Sequence, residues 1–164
     1  FKMLWSEQIP KVTLPNNSGE VTVIAGNFGD KKALSPPPDS WASDANSEIS
    51  ILLIKLNKSG VVELPATKQA VTRVAYFFAG DKLSFNGQEV DPKTGYALDS
   101  QAALKIESAS DGAELLILQA KPIGEPVAQH GPFVMNTRDE IIQTVQDYQR
   151  TQFGGWSWER DDMV

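Results

Sequence analysis

The chain has no cysteine and a single histidine, His130. The first absence removes disulfides and thiolate chemistry. The second leaves one imidazole, so the usual two-histidine transition-metal site cannot be assembled. His130 is flanked by Gln129 and Gly131, and no Ser-His-Asp grouping can be read from the spacing. In a turn rich in proline and glycine it reads as a structural, hydrogen-bonding residue. No apolar run approaches the ~20 residues of a membrane span. Phe1-Lys2-Met3-Leu4-Trp5 lacks the n-region and h-region of a signal peptide. There is no positive surplus either: the formal charge is −6, with acids and bases mixed, which argues against a surface that tracks phosphates. Gly26 and Gly29 form a G-x-x-G run with no helical pattern behind it, so no phosphate loop is expected. The paired carboxylates Asp161 and Asp162 lie in a tail and read as solvated. The expectation is a cytoplasmic chain without membrane or direct nucleic-acid contact. It opens on Phe1 rather than Met and reads as a mature or cut piece of something longer.

A chain of 164 residues suggests one domain that buries roughly 70% of its unfolded surface. Residues 1–20 mix Trp5, Ile9, Val12 and Leu14 with Pro10, Pro15 and Asn16-Asn17-Ser18-Gly19, an extended lead-in closed by a turn. Val21 to Ala25 is short and β-branched, a buried strand. Asn27 to Glu48 has no period and holds Pro36-Pro37-Pro38, which cannot continue a ladder. It reads as a strap over an edge or mouth of the sheet. Ile49 to Leu56 (ISILLIKL) is a nearly continuous apolar strand, and Asn57 to Gly60 turns it toward Val61 to Leu64. Thr72 to Ala79 is a further strand. Asn86-Gly87 between Leu83-Ser84-Phe85 and Gln88-Glu89-Val90 is a strong two-residue hairpin signal. Tyr96 to Leu98, Ala103 to Ile106 and Glu114 to Gln119 follow. Many short strands with frequent turns predict an all-β sandwich or barrel over residues 21–120.

Residues 121–164 differ. Glu125 to Thr137 (EPVAQHGPFVMNT) is tightly turned. Thr137 followed by Glu140 fits a capping box, launching an amphipathic helix with Ile141, Ile142, Val145 and Tyr148 on one stripe and Gly154-Gly155 as its stop. Phe133, Val134 and Met135 stand in a row that no single strand face can bury together. Trp156 and Trp158 would be costly left in water; they pack on this domain or dock on a neighbour.

GEPVAQHGPFVMNTRDEI, continued by DYQRTQFGGW, closely resembles the C-terminal signature of the pirin-like proteins, which carry two cupin barrels in one chain. IPKV at Ile9, VTVIAG at Val21, PPPDSWA at Pro36 and YFFAGD at Tyr76 stand in the order expected of the second barrel. The resemblance implies a cupin-type β-sandwich or barrel, a jelly roll, with one C-terminal α-helix. It places Phe1 within an interdomain linker and puts the N-terminal cupin outside this chain. The family's metal ligands belong to that N-terminal half, as an H-x-H-x₃-E pattern with one more histidine. Counted back from Gly80, the corresponding slots here are Ala66, Lys68 and Thr72, none of them the ligand expected. The resemblance therefore implies a metal-free cupin, with no catalytic or cofactor-binding residue, that is the structural partner of an iron-bearing N-terminal cupin. The alternative it implies is one half of a non-haem iron quercetin 2,3-dioxygenase with iron and catalysis in the other half. Glu125, His130, Phe133, Met135, Thr137, Glu140, Trp156 and Trp158 are the expected structural and interdomain residues. Self-association through exposed apolar surface is a further expectation, as is a cavity of the barrel's own.

Overall fold

The computed structural model describes residues 3–109 and 111–155. The chain divides into two compact units, Phe1–Pro122 and Ile123–Val164.

In the first unit, β1 (Lys11–Leu14) and β2 (Gly19–Ala25) form a hairpin. Leu14, which is buried, belongs to the core, so the lead-in read from the sequence contains a working strand of the sheet. A small hairpin of β3 (Asn27–Phe28) and β4 (Lys31–Lys32) follows. Then come β5 (Ser50–Leu56), β6 (Val61–Leu64), β7 (Thr72–Gly80), β8 (Leu83–Phe85), β9 (Gln88–Val90), β10 (Thr94–Leu98), β11 (Leu104–Ser108) and β12 (Ala113–Ala120). Among the described residues they make a six-stranded sheet, ordered β1-β2-β5-β12-β7-β10, and a four-stranded sheet, ordered β6-β11-β8-β9. Every pairing is antiparallel. Asn86 and Gly87 both take positive φ, 51° and 82°, the two left-handed residues that a tight turn between β8 and β9 requires.

The core lies between the sheets. Strand parity sends Val21, Val23, Leu52, Ile54, Ala75, Phe77, Leu115 and Ile117 inward from the larger sheet, against Val62, Leu64, Leu83, Phe85, Leu104 and Ile106 of the smaller one. Each fully buried Leu, Ile or Phe contributes about 1.5–3 kcal/mol of transfer free energy. The near-continuous apolar run of β5 has a specific outcome. Leu52, Ile54 and Leu56 are buried, while Ile51 and Leu53 lie on the other face. On that outer face Leu116 sits between Leu53 and Tyr76, and Leu118 sits between Ile51 and Val74. The Tyr76 ring lies over Gly95, where a Cβ would come within 3.0 Å of the ring. The outer face of the central strands is thus apolar, with Tyr76, Phe78 and Leu118 exposed.

The aperiodic stretch after β2 is a strap. Gly26, at φ 77°, turns the chain out of the sheet, and a Cβ there would collide with the Ile49 carbonyl oxygen. Two short 3₁₀ turns, Trp41–Ser43 and Ala45–Ser47, are capped by the side chains of Ser40 and Asp44. Trp41 Nε1 donates to the Lys121 carbonyl at 3.0 Å, and the Lys121 amide donates to the Ser47 carbonyl at 2.7 Å. These bonds pin the strap just past the end of β12.

In the second unit β13 (Ala128–His130) pairs with β14 (Phe133–Met135), and α1 (Arg138–Thr151) follows. The capping box is present as expected. The helix stop is not where the sequence placed it. Gln152, at φ 51°, is the left-handed cap, with its amide bonded to the Tyr148 carbonyl, and Gly154 and Gly155 belong to the next turn. Thr151 competes for the same turn: its hydroxyl donates to the Asp147 carbonyl and accepts from the Phe153 amide.

Candidate functional site

An open cavity of about 1030 Å³ lies at the mouth of the first unit's sandwich. One wall is the strap, from Gly26 to Pro36 and from Ala42 to Glu48. The second is the β6–β7 connection, from Pro65 to Gln69. The floor is made by the inward residues Leu52, Arg73, Ile117 and Gln119. The walls are tied to each other. Gln69 Nε2 donates to the Asn46 carbonyl at 2.9 Å, and the Lys68 amide donates to Glu48 Oε2 at 3.3 Å. Thr67 and Val71 are held in turn by buried Ser100.

Arg73 is the charged residue among the inward side chains of β7, between buried Val71 and Ala75. Only 4% of it is exposed. Its Nε donates to Gln119 Oε1 at 2.7 Å, one terminal nitrogen to the Pro65 carbonyl at 2.8 Å, and the other to the Ala102 carbonyl at 3.5 Å. Gln119 passes the chain on, its Nε2 donating to the Glu48 carbonyl at 2.9 Å. Glu48 itself is left-handed, φ 45°, a conformation that costs about 1–2 kcal/mol in a non-glycine residue. The bonds from Gln119 and Lys68 hold it there. Burial lowers the pKa of Arg73, and the charges of Asp99 and Glu48 partly offset that. An arginine remains charged throughout. Among the described residues no carboxylate lies within ion-pairing distance of it.

The three metal slots fall apart. Ala66 and Lys68 line the cavity, while Thr72 is exposed on the opposite face of β7 from Arg73. The carboxylates of Asp44, Glu48 and Glu63 also border the cavity. Among the described residues no group of three or more His, Cys, Asp or Glu side chains could hold a metal ion. An alanine, a lysine and an outward threonine do not fit an iron site, and a buried guanidinium on the floor opposes a second cation. Sequence reading passed over Arg73 and Gln119. The available signal was parity: an arginine and a glutamine at inward positions of otherwise apolar strands.

The second unit gathers several expected residues. Glu140 Oε2 accepts from the amides of Asn136 and Thr137 at 3.0 and 2.8 Å and from the Thr137 hydroxyl at 3.0 Å, and its own amide donates to Thr137 Oγ1 at 3.2 Å. Asn136 Nδ2 donates to Glu125 at 2.7 Å, which ties the start of the turn to the helix N-terminus. The Thr137 bonds, first its backbone and then its hydroxyl, hold the Glu140 carboxyl below the ordinary range, with the Asn136 amide adding to them. Phe133 is half-buried and joins Tyr148 and Phe153, with ring centroids 5.9, 6.2 and 5.2 Å apart. Met135 is half-buried opposite Ala128, and His130 is exposed, paired through its backbone with Phe133. Val127, Val134 and Ile142 are exposed at 75%, 55% and 56%. Trp156 and Trp158 lie outside the described residues. No helix among the described residues is long and apolar enough to cross a membrane.

Two facing antiparallel sheets around one core, open at a mouth with a strap, and one C-terminal helix define a cupin β-sandwich, and solved structures agree. A crystal structure of quercetin 2,3-dioxygenase from Acinetobacter baumannii superposes with a TM-score of 0.73 at 25% identity, covering 92% of this chain and 49% of that one. Residues 51–154 match the family described as the pirin C-terminal cupin domain, and the chain belongs to that family. It is 32% identical to human pirin over 161 residues, 94% of this chain and 51% of pirin. It is also 44% identical to a pirin-like protein of Caulobacter vibrioides over 64 residues, 39% of this chain and 23% of that protein. Against human pirin and the Acinetobacter enzyme, the chain spans about half the length of its relative.

Proposed function

We propose that this domain is the metal-free cupin of a two-cupin pirin-like protein and serves as the structural partner of an N-terminal, iron-bearing cupin. The observation that carries the reading is the apolar outer face of the larger sheet, where Val74, Tyr76, Phe78 and Leu118 stand together and three of the four are exposed. A contiguous exposed patch of this kind marks an interface. The relatives, about twice as long, supply a partner of the right chemistry, a second cupin. Ala66, Lys68 and Thr72 at the ligand slots support the metal-free part. The exposed apolar residues of the second unit add surface of the same character. Glu125, Thr137 and Glu140 then act by fixing the turn and helix that present it.

The test is to express this chain and the N-terminal cupin separately and measure their association by calorimetry. Tyr76→Ser with Leu118→Ser is expected to weaken association at least about tenfold, 1.4 kcal/mol, in a domain whose circular dichroism shows it still folded at the assay temperature. Equal binding by the double variant overturns the reading.

A second reading concerns the whole protein: a non-haem iron quercetin oxygenase whose iron and catalysis lie in the N-terminal half. The likeness to the Acinetobacter quercetin 2,3-dioxygenase structure favours it. Oxygen uptake with quercetin and added iron is expected to match the buffer blank for this chain alone and to exceed it for the reconstituted pair. Turnover by this chain alone overturns the assignment of roles.

A further inference from the structure

We propose that the mouth of this cupin binds a small organic monocarboxylate, its acidic head on Arg73 and its apolar body against Leu52, Leu64 and Ile117. Several observations lead there. Arg73 is a buried cation with no carboxylate in ion-pairing range among the described residues. A buried charge without a contacting counterion is unfavourable, and carbonyl dipoles with the more distant charges of Asp99 and Glu48 offset only part of that. Of the five guanidinium N–H groups, the described bonds use three, one of them long at 3.5 Å. Two donors remain, the number a bidentate carboxylate takes.

The cavity beside them has room: its volume of about 1030 Å³ is at the upper end of small-molecule sites. Its floor alternates apolar Leu52 and Ile117 with Arg73 and Gln119, so an occupant has an apolar body and one polar end. The rim sets the charge. Lys32 and Lys68 are outnumbered by the carboxylates of Asp44, Glu48 and Glu63, so a polyanion meets repulsion and at most a single negative charge is held, by Arg73. The strap and the β6–β7 connection, tied through Glu48 and Gln69, enclose the ligand from two sides. Gln119 orients the guanidinium from its neighbouring strand and is a positioning residue.

The experiment follows the Arg73 Nε–H resonance of the chain by NMR during titration with benzoate, benzamide and sulfate. Benzoate is expected to give a saturable shift, with benzamide and sulfate at least about tenfold weaker. Arg73→Lys keeps the charge and loses the planar fork, so backbone amides around the cavity should then report benzoate binding weakened at least about tenfold. Ala66→Trp, at an exposed position on the rim, leaves Arg73 in place and fills the mouth. It is expected to abolish the benzoate shift and keeps the test valid should Arg73→Lys fail to fold. Equal response to benzamide, equal response to sulfate, an unaffected Ala66→Trp protein, or no saturable shift at millimolar benzoate each overturns the proposal. The last result would leave Arg73 as a tie between loops only.

Discussion

Arg73 and Gln119 stand directly opposite each other on β7 and β12, and the guanidinium Nε donates to the amide oxygen at 2.7 Å. This pair adds polar groups to the otherwise apolar inner face of the larger sheet, at the strand ends that form the mouth. The same glutamine reaches Glu48 on the strap, so strap, sheet and guanidinium form one network.

Breaking the pair from its two ends is expected to have unequal effects. Arg73→Met leaves the Pro65 carbonyl and the Gln119 amide oxygen without a donor, at a cost of about 1–3 kcal/mol. Gln119→Leu leaves the Nε–H of a buried charged group without its acceptor and the Glu48 carbonyl without the Gln119 donor, and is expected to cost more, because hydrogen bonds to charged groups are the stronger ones. Urea denaturation of both variants checks the order; a smaller loss for Gln119→Leu refutes it.

Phe133→Ala is expected to cost about 2 kcal/mol. Phe133 is half-buried, so the loss falls short of the roughly 3–5 kcal/mol of a fully buried phenylalanine. It includes two aromatic contacts of about 0.5–1.5 kcal/mol each. The Tyr148 ring resonances in NMR spectra should move as the melting midpoint drops, because the two rings touch; unmoved resonances would contradict the contact.

Thr137→Ala is expected to cost about 1 kcal/mol of helix stability. The Glu140 side of the cap carries a pH signature. Its folded pKa is lowered by the bonds from Thr137 and Asn136, so its contribution is complete above the unfolded value near 4.5 and is lost as pH falls through the folded value. Helix content followed by circular dichroism should decline over that acid range in the native chain. Glu140→Gln should start lower and lack that portion of the decline. Identical profiles would mean that the carboxylate does not cap in solution.

The exposed faces should make the isolated chain associate with itself at high concentration. Sedimentation velocity is expected to show reversible association that Phe78→Ser with Leu118→Ser suppresses. Phe78 and Leu118 are 46% and 36% exposed, so the variant also loses cross-strand packing of about 0.2–1 kcal/mol a pair, and association is compared well below its melting midpoint. Undiminished association in the double variant would place the contact elsewhere.

Chelator-washed, tag-free protein is expected to carry far less than stoichiometric iron, since Ala66, Lys68 and Thr72 present no ligand set. Elemental analysis decides this; near-stoichiometric iron lost on changing Lys68 or His130 would contradict it.

The sequence alone determined much of what depends on near neighbours. Strand parity, the Asn86-Gly87 turn and the Thr137–Glu140 box are local, because turn sterics and capping bonds act within a few residues. The family motif around Gly131 to Thr137 could be read for the same reason. Local signals misplaced the helix stop, because Gln152 adopts the left-handed cap ahead of the glycines. They also read Lys11–Leu14 as a lead-in, because an edge strand shows itself only through its partner, β2. The tertiary structure decided what joins distant residues. It set Arg73 against Gln119, separated by 46 positions, and brought the strap to the end of β12 through Trp41 and Lys121, 80 positions apart. It also decided that the second apolar face of β5 would remain at the surface. Pattern records that a side chain is apolar and which parity it has; which face finds a partner is settled by the sheet order, and that is set by pairings between residues far apart in the chain.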